Sequence, residues 1–376
     1  MSLRVFLRIV PLSCLLLASA STRAAEPIKL GFFMSMTGRD ASFGETSLRG
    51  AQMAIDELNA AGGVLGRPLE LVVADNRSLA GESATAAKKL INRDKVVALI
   101  GECASSRSLE AAPVAQTAGV PMVSPASTNP RVTEAGDCIF RMCFADPFQG
   151  EVLASYAYRR LGLRRAALLV DNSAPYSAGL AAAFARTFTT LGGEVVARQQ
   201  YTAGDKDFRA QLTTLRAAAP DLIFLPSYYV DIGLAAKQAR ELGITLPFLG
   251  GDGYEAPQFL EIGGPALNGT CYSTHFSPEN SDPAVRAFIA RHQARYQITP
   301  NGLSALTYDS VRLVADAIAR AGSTDRAAVR AALAATRDFP GITGRTSIDA
   351  RRDAVKEAAI MAVRDGRIVF VENIRP

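Results

Sequence analysis

Short apolar runs bounded by glycine, proline or aspartate alternate along the chain with longer stretches in which apolar residues recur at every third or fourth place. The first pattern predicts buried strands and the second amphipathic helices. Residues 28–35 (IKLGFFMS) predict a strand. Residues 45–60 follow as a helix with Ala51, Ala54, Ile55 and Leu58 on one face, stopped by Gly62-Gly63. A strand at 69–74, a helix at 83–94, a strand at 96–101, a helix at 106–118 and a strand at 120–124 continue the series. The order then recurs. Residues 166–171 (AALLVD) predict a strand and 177–191 a helix, again stopped by a glycine pair, Gly192-Gly193. Residues 194–201, 222–226 and 247–249 predict strands, with helices at 208–218 and 230–242 between them. Alternation of this kind gives a parallel sheet covered by helices, and its recurrence predicts two α/β lobes of like topology.

The rest of the chain fits neither half alone. Helices are predicted at 282–296, 306–321 and 326–335. Two strands at 358–364 and 367–372 flank Asp365-Gly366, a strong hairpin signal. A chain built in this order is expected to cross between lobes more than once. Such an arrangement leaves a cleft where the C-terminal ends of the strands meet.

The N-terminus reads differently. Arg4 and Arg8 precede an apolar run from Ile9 to Ala20, followed by the small residues Ala18-Ser19-Ala20 and Thr22-Arg23-Ala24. This is the pattern of a secretory signal over residues 1–25. The run of about 12 apolar residues is short of the roughly 20 that span a bilayer. Cys14 lies inside the run after Pro11 and Leu12, a poor lipobox. The chain is therefore expected to be exported to the periplasm with the signal cleaved.

Composition narrows the possibilities. At 376 residues the chain suggests two or three domains. Its 48% hydrophobic and 20% charged residues suit sizeable cores. The net charge of +5 hints at an anionic partner, but losing residues 1–25 removes three arginines and no acid, leaving +2. No Lys/Arg block of the kind that tracks nucleic acid occurs. Four cysteines follow the signal: Cys103, Cys138, Cys143 and Cys271. They allow three complete pairings in an oxidising compartment, and buried free thiols are an equal expectation.

Catalytic signatures are missing. The sequence has no GxxxxGK[ST] loop, no GxSxG elbow and no CxxC pair. His275 and His292 stand 17 residues apart without an HExxH context and read as ordinary core or surface histidines. An enzyme is not expected, nor a metal or cofactor.

Binding chemistry is present where strands end. Gly101-Glu102-Cys103-Ala104-Ser105-Ser106 follows a strand and opens a helix, whose free first-turn N–H groups can hold an anion; a plain serine N-cap gives the same pattern. Ser124-Pro125-Ala126-Ser127-Thr128-Asn129-Pro130 is a rigid loop rich in hydroxyls and carbonyls, equally readable as a turn. Gly250-Gly251-Asp252-Gly253 offers a carboxylate among glycines that can meet a cation. Phe43, Tyr176 and the pair Tyr228-Tyr229 each follow a strand and can build an apolar wall. Together these groups match a zwitterionic amino acid with an apolar side chain.

The segments MSMTGRDASFGETSLRGAQMAIDELNAAGGVLGRPLELVVAD, LIGECASSRSLEAAPVAQTAGVPMVSPASTNPRVTEAG, DPFQG, YSAGLA, GDKDF, QARELGI and LGGDG resemble the branched-chain amino acid-binding proteins of ABC transporters. The resemblance covers the chain from about Ile28 onward. It implies the type I periplasmic binding fold: two doubly wound parallel-sheet lobes joined by a multi-strand hinge, with a cleft between them. The lobes would comprise residues 26–146 with 276–345, and 147–275 with 346–376. The implied function is a monomeric receptor that closes on its ligand and delivers it to a membrane permease.

By the same resemblance, Ser105 and Thr128 would bind the ligand's α-carboxylate. The Ala126 carbonyl, the Thr128 hydroxyl and Asp252 would receive its ammonium, and Phe43, Ala104, Tyr176 and Tyr228 would contact the side chain. Leucine-type members place Glu where Asp252 stands, and a disulfide-linked cysteine where Ala104 stands. No cysteine lies near Asp75 to form that bridge here. Relatives of this group also bind aromatic acids, amides or urea. The alternatives are thus the same fold binding another small carboxylate such as an aromatic acid, or a ligand-sensing regulatory subunit.

Overall fold

The computed structural model describes residues 25–375. The expected signal over residues 1–25, with Cys14, lies outside the described residues apart from its last position.

The first sheet has five strands in the order Leu69–Asp75, Ile28–Met34, Ala98–Ile100, Met122–Ser124 and Ile139–Arg141, all parallel. Its inner strands are buried on both faces because helices cover both. Leu30, Phe32 and Met34 join one core, while Phe33 joins Leu90, Leu99 and Ala112 in another. The second sheet has seven strands. Glu194–Tyr201, Arg165–Asp171, Leu222–Phe224, Phe248–Gly250 and Cys271–Thr274 run parallel. The hairpin of Ala358–Arg364 and Arg367–Ile374 adds antiparallel to its edge. Asp365 and Gly366 both have positive φ, 50° and 73°, as the tight turn requires.

The chain leaves the first sheet after Arg141 and enters the second lobe's helices at Asp146–Ser155. It goes back after Thr274 to form Pro283–Tyr296, Gly302–Ala321 and Arg326–Ala334. Helix Gly302–Ala321 packs along Ala41–Ala60, the first helix of the chain. The two backbones meet at Gly50, where any Cβ would fall 2.0 Å from the Ser304 carbonyl oxygen. A three-stranded sheet, Phe339–Gly341, Gly344–Ile348 and Ala354–Val355, then leads to the final hairpin.

Most predicted elements are present within a few residues of their expected bounds. The expected series lacks strands Ile139–Arg141 and Cys271–Thr274, helices Asp146–Ser155 and Gln258–Gly263, and the three-stranded sheet that starts at Phe339, among other short elements. Short strands show only where a continuous apolar run marks them, as at Ala98–Ile100; Ile139–Arg141 is interrupted by Arg141, which is fully buried where the pattern reads it as polar. The loops after Met34, Ile100 and Ser124 on one sheet face those after Asp171, Phe224 and Gly250 on the other.

Candidate functional site

On the first sheet's side the hub is Glu102, which is 1% exposed. Its Oε1 accepts from the Ser35 N–H (2.8 Å), the Ser35 hydroxyl (2.7 Å) and the Asn76 amide (3.1 Å). Its Oε2 accepts from the Ala104 N–H at 2.6 Å, and its carbonyl accepts from the hydroxyls of Ser124 (2.7 Å) and Ser127 (2.9 Å). Burial pushes this carboxyl up from its ordinary pKa, while the bonds from Ser35, Ala104 and Asn76 pull it back. The effect is to lash three strand-end loops together at the start of helix Ser105–Thr117.

The loop 124–130 is clamped from beneath by Arg141. Its guanidinium donates to the carbonyls of Ser127 (2.7 Å) and Asn129 (2.9 Å), and pairs with Asp353 at 2.6 Å. Ser105 Oγ accepts from the Asn129 N–H at 3.2 Å, so the helix start and this loop sit side by side. The Thr128 hydroxyl is buried and has no hydrogen-bond partner.

Across from them, Asp252 opens a single 3₁₀ turn, Asp252–Tyr254, and is 5% exposed. Its Oδ1 accepts from Gln149 Nε2 at 2.9 Å, and its Oδ2 lies 3.2 Å from His275 Nε2. Burial lowers the His275 pKa, which favours a neutral ring whose Nε2–H can donate to this oxygen. The ring also lies 3.7 Å from that of Phe144. Asp252 therefore receives hydrogen bonds without a full positive charge. The flanking glycines are required: a Cβ on Gly251 would meet the Tyr176 hydroxyl at 2.6 Å, and one on Gly253 the Ser227 carbonyl oxygen at 2.3 Å.

The aromatic wall is continuous. Tyr176 and Tyr228 stack at 5.4 Å with planes 6° apart, and Phe43 sets its edge on Tyr228 at 5.5 Å. Phe43, Ala126, Tyr176, Tyr228 and Asp252 line one small cavity together with Cys103, Gly253 and Leu303. Its volume is about 10 Å³. Ser105 and Thr128, expected at the ligand's carboxylate, are buried but do not line this cavity. Ala104 is not in the lining; its N–H is taken by Glu102 and Cys103 faces the space instead. Glu102, Gln149, His275 and Leu303 carry no local sequence signal for the site. Asp146 and Gln149 lie in DPFQG, one of the segments that carry the family resemblance.

Contacts close the cleft from rim to rim. Arg39 pairs with Asp231 at 2.6 Å, the Tyr229 hydroxyl donates to the Arg39 carbonyl at 2.8 Å, and Asn129 donates to the Pro175 carbonyl at 2.8 Å. The Ser42 hydroxyl bonds to Gln258.

Besides Glu102, three buried carboxyls have raised pKa values, chiefly through burial: Asp146 to about 7, Asp231 to about 6 and Glu255 to about 7. Between the ordinary carboxylate range near 4 and these values, the folded protein holds more protons than the unfolded chain. Their effect on stability is most favourable below about pH 4 and is lost as pH rises through 6 to 7. Ligand-free protein is expected to melt at progressively lower temperature from pH 5 to pH 8. Asp146→Asn should flatten that slope and raise the melting temperature at pH 8, measured by thermal unfolding in a buffer series. An unchanged slope would place the protons elsewhere.

All four described cysteines are free thiols. Cys103, Cys138 and Cys143 are buried and Cys271 is partly so. This settles the open question of pairing in favour of unbridged cysteines. No cluster of three His, Cys, Asp or Glu residues is placed to hold a metal, and no helix is long and apolar enough to cross a membrane, among the described residues.

The family description "periplasmic binding protein" matches residues 27–367. The chain belongs to that family. A leucine-, isoleucine-, valine-, threonine- and alanine-binding protein of Pseudomonas aeruginosa is 32% identical over 332 residues, 88% of each chain. The leucine-binding protein LivK of Thermotoga maritima shares the fold with a TM-score of 0.89 at 41% identity, over 93% of this chain and 99% of its own. LivJ of Streptococcus pneumoniae, solved with isoleucine, also scores 0.89, at 35% identity over 93% of this chain and all of its own. A solute-binding protein of Rhodopseudomonas palustris, solved with 3,4-dihydroxybenzoic acid, scores 0.83 at 25% identity over 93% of this chain and 97% of its own. Members of this periplasmic binding protein family are solute receptors of transporters. The type I architecture expected from the sequence is the one observed.

Proposed function

We propose that this periplasmic binding protein captures an apolar L-amino acid between its lobes and delivers it to an ABC permease. The observation that carries the reading is Asp252, a buried carboxylate that lines an aromatic cavity without a cation of its own, opposite the helix start at Ser105 and the Thr128 hydroxyl. In this reading Ser105 and Thr128 hold the α-carboxylate. The Ala126 carbonyl, the Thr128 hydroxyl and Asp252 hold the ammonium. Phe43, Cys103, Tyr176 and Tyr228 pack on the side chain, with Ala104 supporting from behind. A cavity of about 10 Å³ has room for roughly one water, so the lobes must part to admit an amino acid. The hinge follows from the three crossings, with residues 26–146 and 276–345 in one lobe and 147–275 and 346–376 in the other. Residues 1–25 act as the export signal, and the mature receptor works as a monomer in the periplasm.

A thermal-shift screen of amino acids and aromatic acids tests this, because a ligand that binds only the folded state raises the melting temperature. Leucine, isoleucine, valine or phenylalanine should raise it by several degrees. A response confined to benzoates would replace the amino acid by an aromatic acid, the second reading that the dihydroxybenzoate-bound neighbour favours. No response from any amino acid would sink the first.

A further inference from the structure

Behind the cleft lies a second, larger cavity of about 320 Å³, a size that suits a small organic ligand. One wall comes from the first helix and the loop ahead of Gly302, and includes Thr46, Ile298 and Pro300. The other comes from the second sheet, with Tyr272 and Met361, and from Glu255 just after the 3₁₀ turn Asp252–Tyr254. Two pairs of residues tie this space to the cleft. Asp252 and Glu255 stand three apart on one turn, and Phe43 and Thr46 three apart on one helix. In each pair the first residue lines the cleft cavity and the second lines this one.

We propose that this cavity is a second ligand site, which takes a small apolar primary amine on Glu255 and Thr46. The walls are mostly apolar, so a hydrocarbon body is favoured there. The polar groups are short of donors. Glu255 is 7% exposed, and its carboxyl accepts the Gly302 N–H at 2.7 Å. No lysine, arginine or histidine pairs with it among the described residues. Thr46 is 5% exposed and its hydroxyl has no hydrogen-bond partner. The two basic side chains in the lining, Arg49 and His292, have other partners. Arg49 lies 3.9 Å from Glu45, and the two nitrogens of the His292 ring lie 2.8 Å from the Ile298 carbonyl and 3.1 Å from the Ser304 hydroxyl. An ammonium supplies the missing pieces, a positive charge for the buried carboxyl and up to three N–H donors, one of which suits the threonine oxygen. Burial holds Glu255 near pH 7, so amine binding should release a proton from it as the pair forms.

The test is calorimetry with 2-phenylethylamine, which lacks a carboxylate and so fails or succeeds independently of the amino-acid reading of the cleft. Asp252→Asn removes the competing carboxylate in the cleft. Binding should persist in that variant, and should fall at least tenfold in Glu255→Gln. Ile298→Trp, at a 39% exposed edge of the cavity, fills the space without disturbing the buried carboxyl and should also abolish binding. It serves where Glu255→Gln melts early. 2-Phenylethanol, without the charge, should bind at least tenfold more weakly than the amine. The proposal is overturned if the wild type does not bind the amine, if Asp252→Asn loses binding, if Ile298→Trp keeps it, or if the alcohol binds equally well.

Discussion

Replacing Asp252 by alanine should weaken the binding of an aliphatic L-amino acid by a few hundredfold. The carboxylate is buried, with Gln149 and His275 on its two oxygens and no full positive charge beside it. In the proposed complex the ligand ammonium completes the pair. Truncation leaves that ammonium desolvated and unpaired, a loss of about 3 to 4 kcal/mol for a broken buried ion pair. The effect should be specific to the amino group. The deaminated analogue 4-methylpentanoate should bind wild type and Asp252→Ala with nearly equal affinity, since it presents only the carboxylate. Titration calorimetry with both ligands on both proteins gives the answer. Equal losses for the two ligands would point to collapse of the site, and no loss for leucine would remove the ammonium from Asp252.

Glu102→Ala should destabilise the fold by about 3 to 5 kcal/mol, the cost of leaving several buried donors without their charged acceptor. The donors are the N–H and hydroxyl of Ser35, the side-chain amide of Asn76 and the N–H of Ala104. They belong to three separate strand-end loops, so no single rearrangement can satisfy them all. Urea denaturation followed by circular dichroism should show a clearly lower midpoint with little change in slope. Ligand affinity should fall as well at urea-free conditions where the variant is still folded. The Ala104 N–H bond orients the first turn of helix Ser105–Thr117, where the carboxylate is proposed to sit. A midpoint matching wild type would show that Glu102 is dispensable to the fold.

The parts of the molecule legible in the sequence are those with local physical signatures. The long helices show their periodicity, the Asp365-Gly366 hairpin its turn chemistry, and the GGDG segment its carboxylate among glycines. The structure brings Phe43, Ala126, Tyr176, Tyr228 and Asp252 around one cavity because each follows a parallel strand, which is where such sheets present their loops. What escaped is held by distance. Gln149 and His275 reach Asp252 from 103 and 23 residues away, and Leu303 arrives from the far end of the chain. Glu102 was visible only as part of a loop, because its meaning lies in Ser35 and Asn76, 67 and 26 residues earlier. Ala104 gave way to its neighbour Cys103 in the lining, a shift of one residue at a helix start that no spacing rule resolves.

The contact between Gly50 and Ser304 bears on how this molecule can be taken apart. The first sheet is complete at Arg141, yet the helix that covers Ala41–Ala60 begins only at Gly302, and the second sheet gains its edge hairpin later still. Cutting the chain once, anywhere between, leaves each fragment with a bare apolar face whose partner is on the other piece. A split-protein reporter made by a single cut would thus reassemble by mutual folding of its fragments, not by docking of two finished lobes.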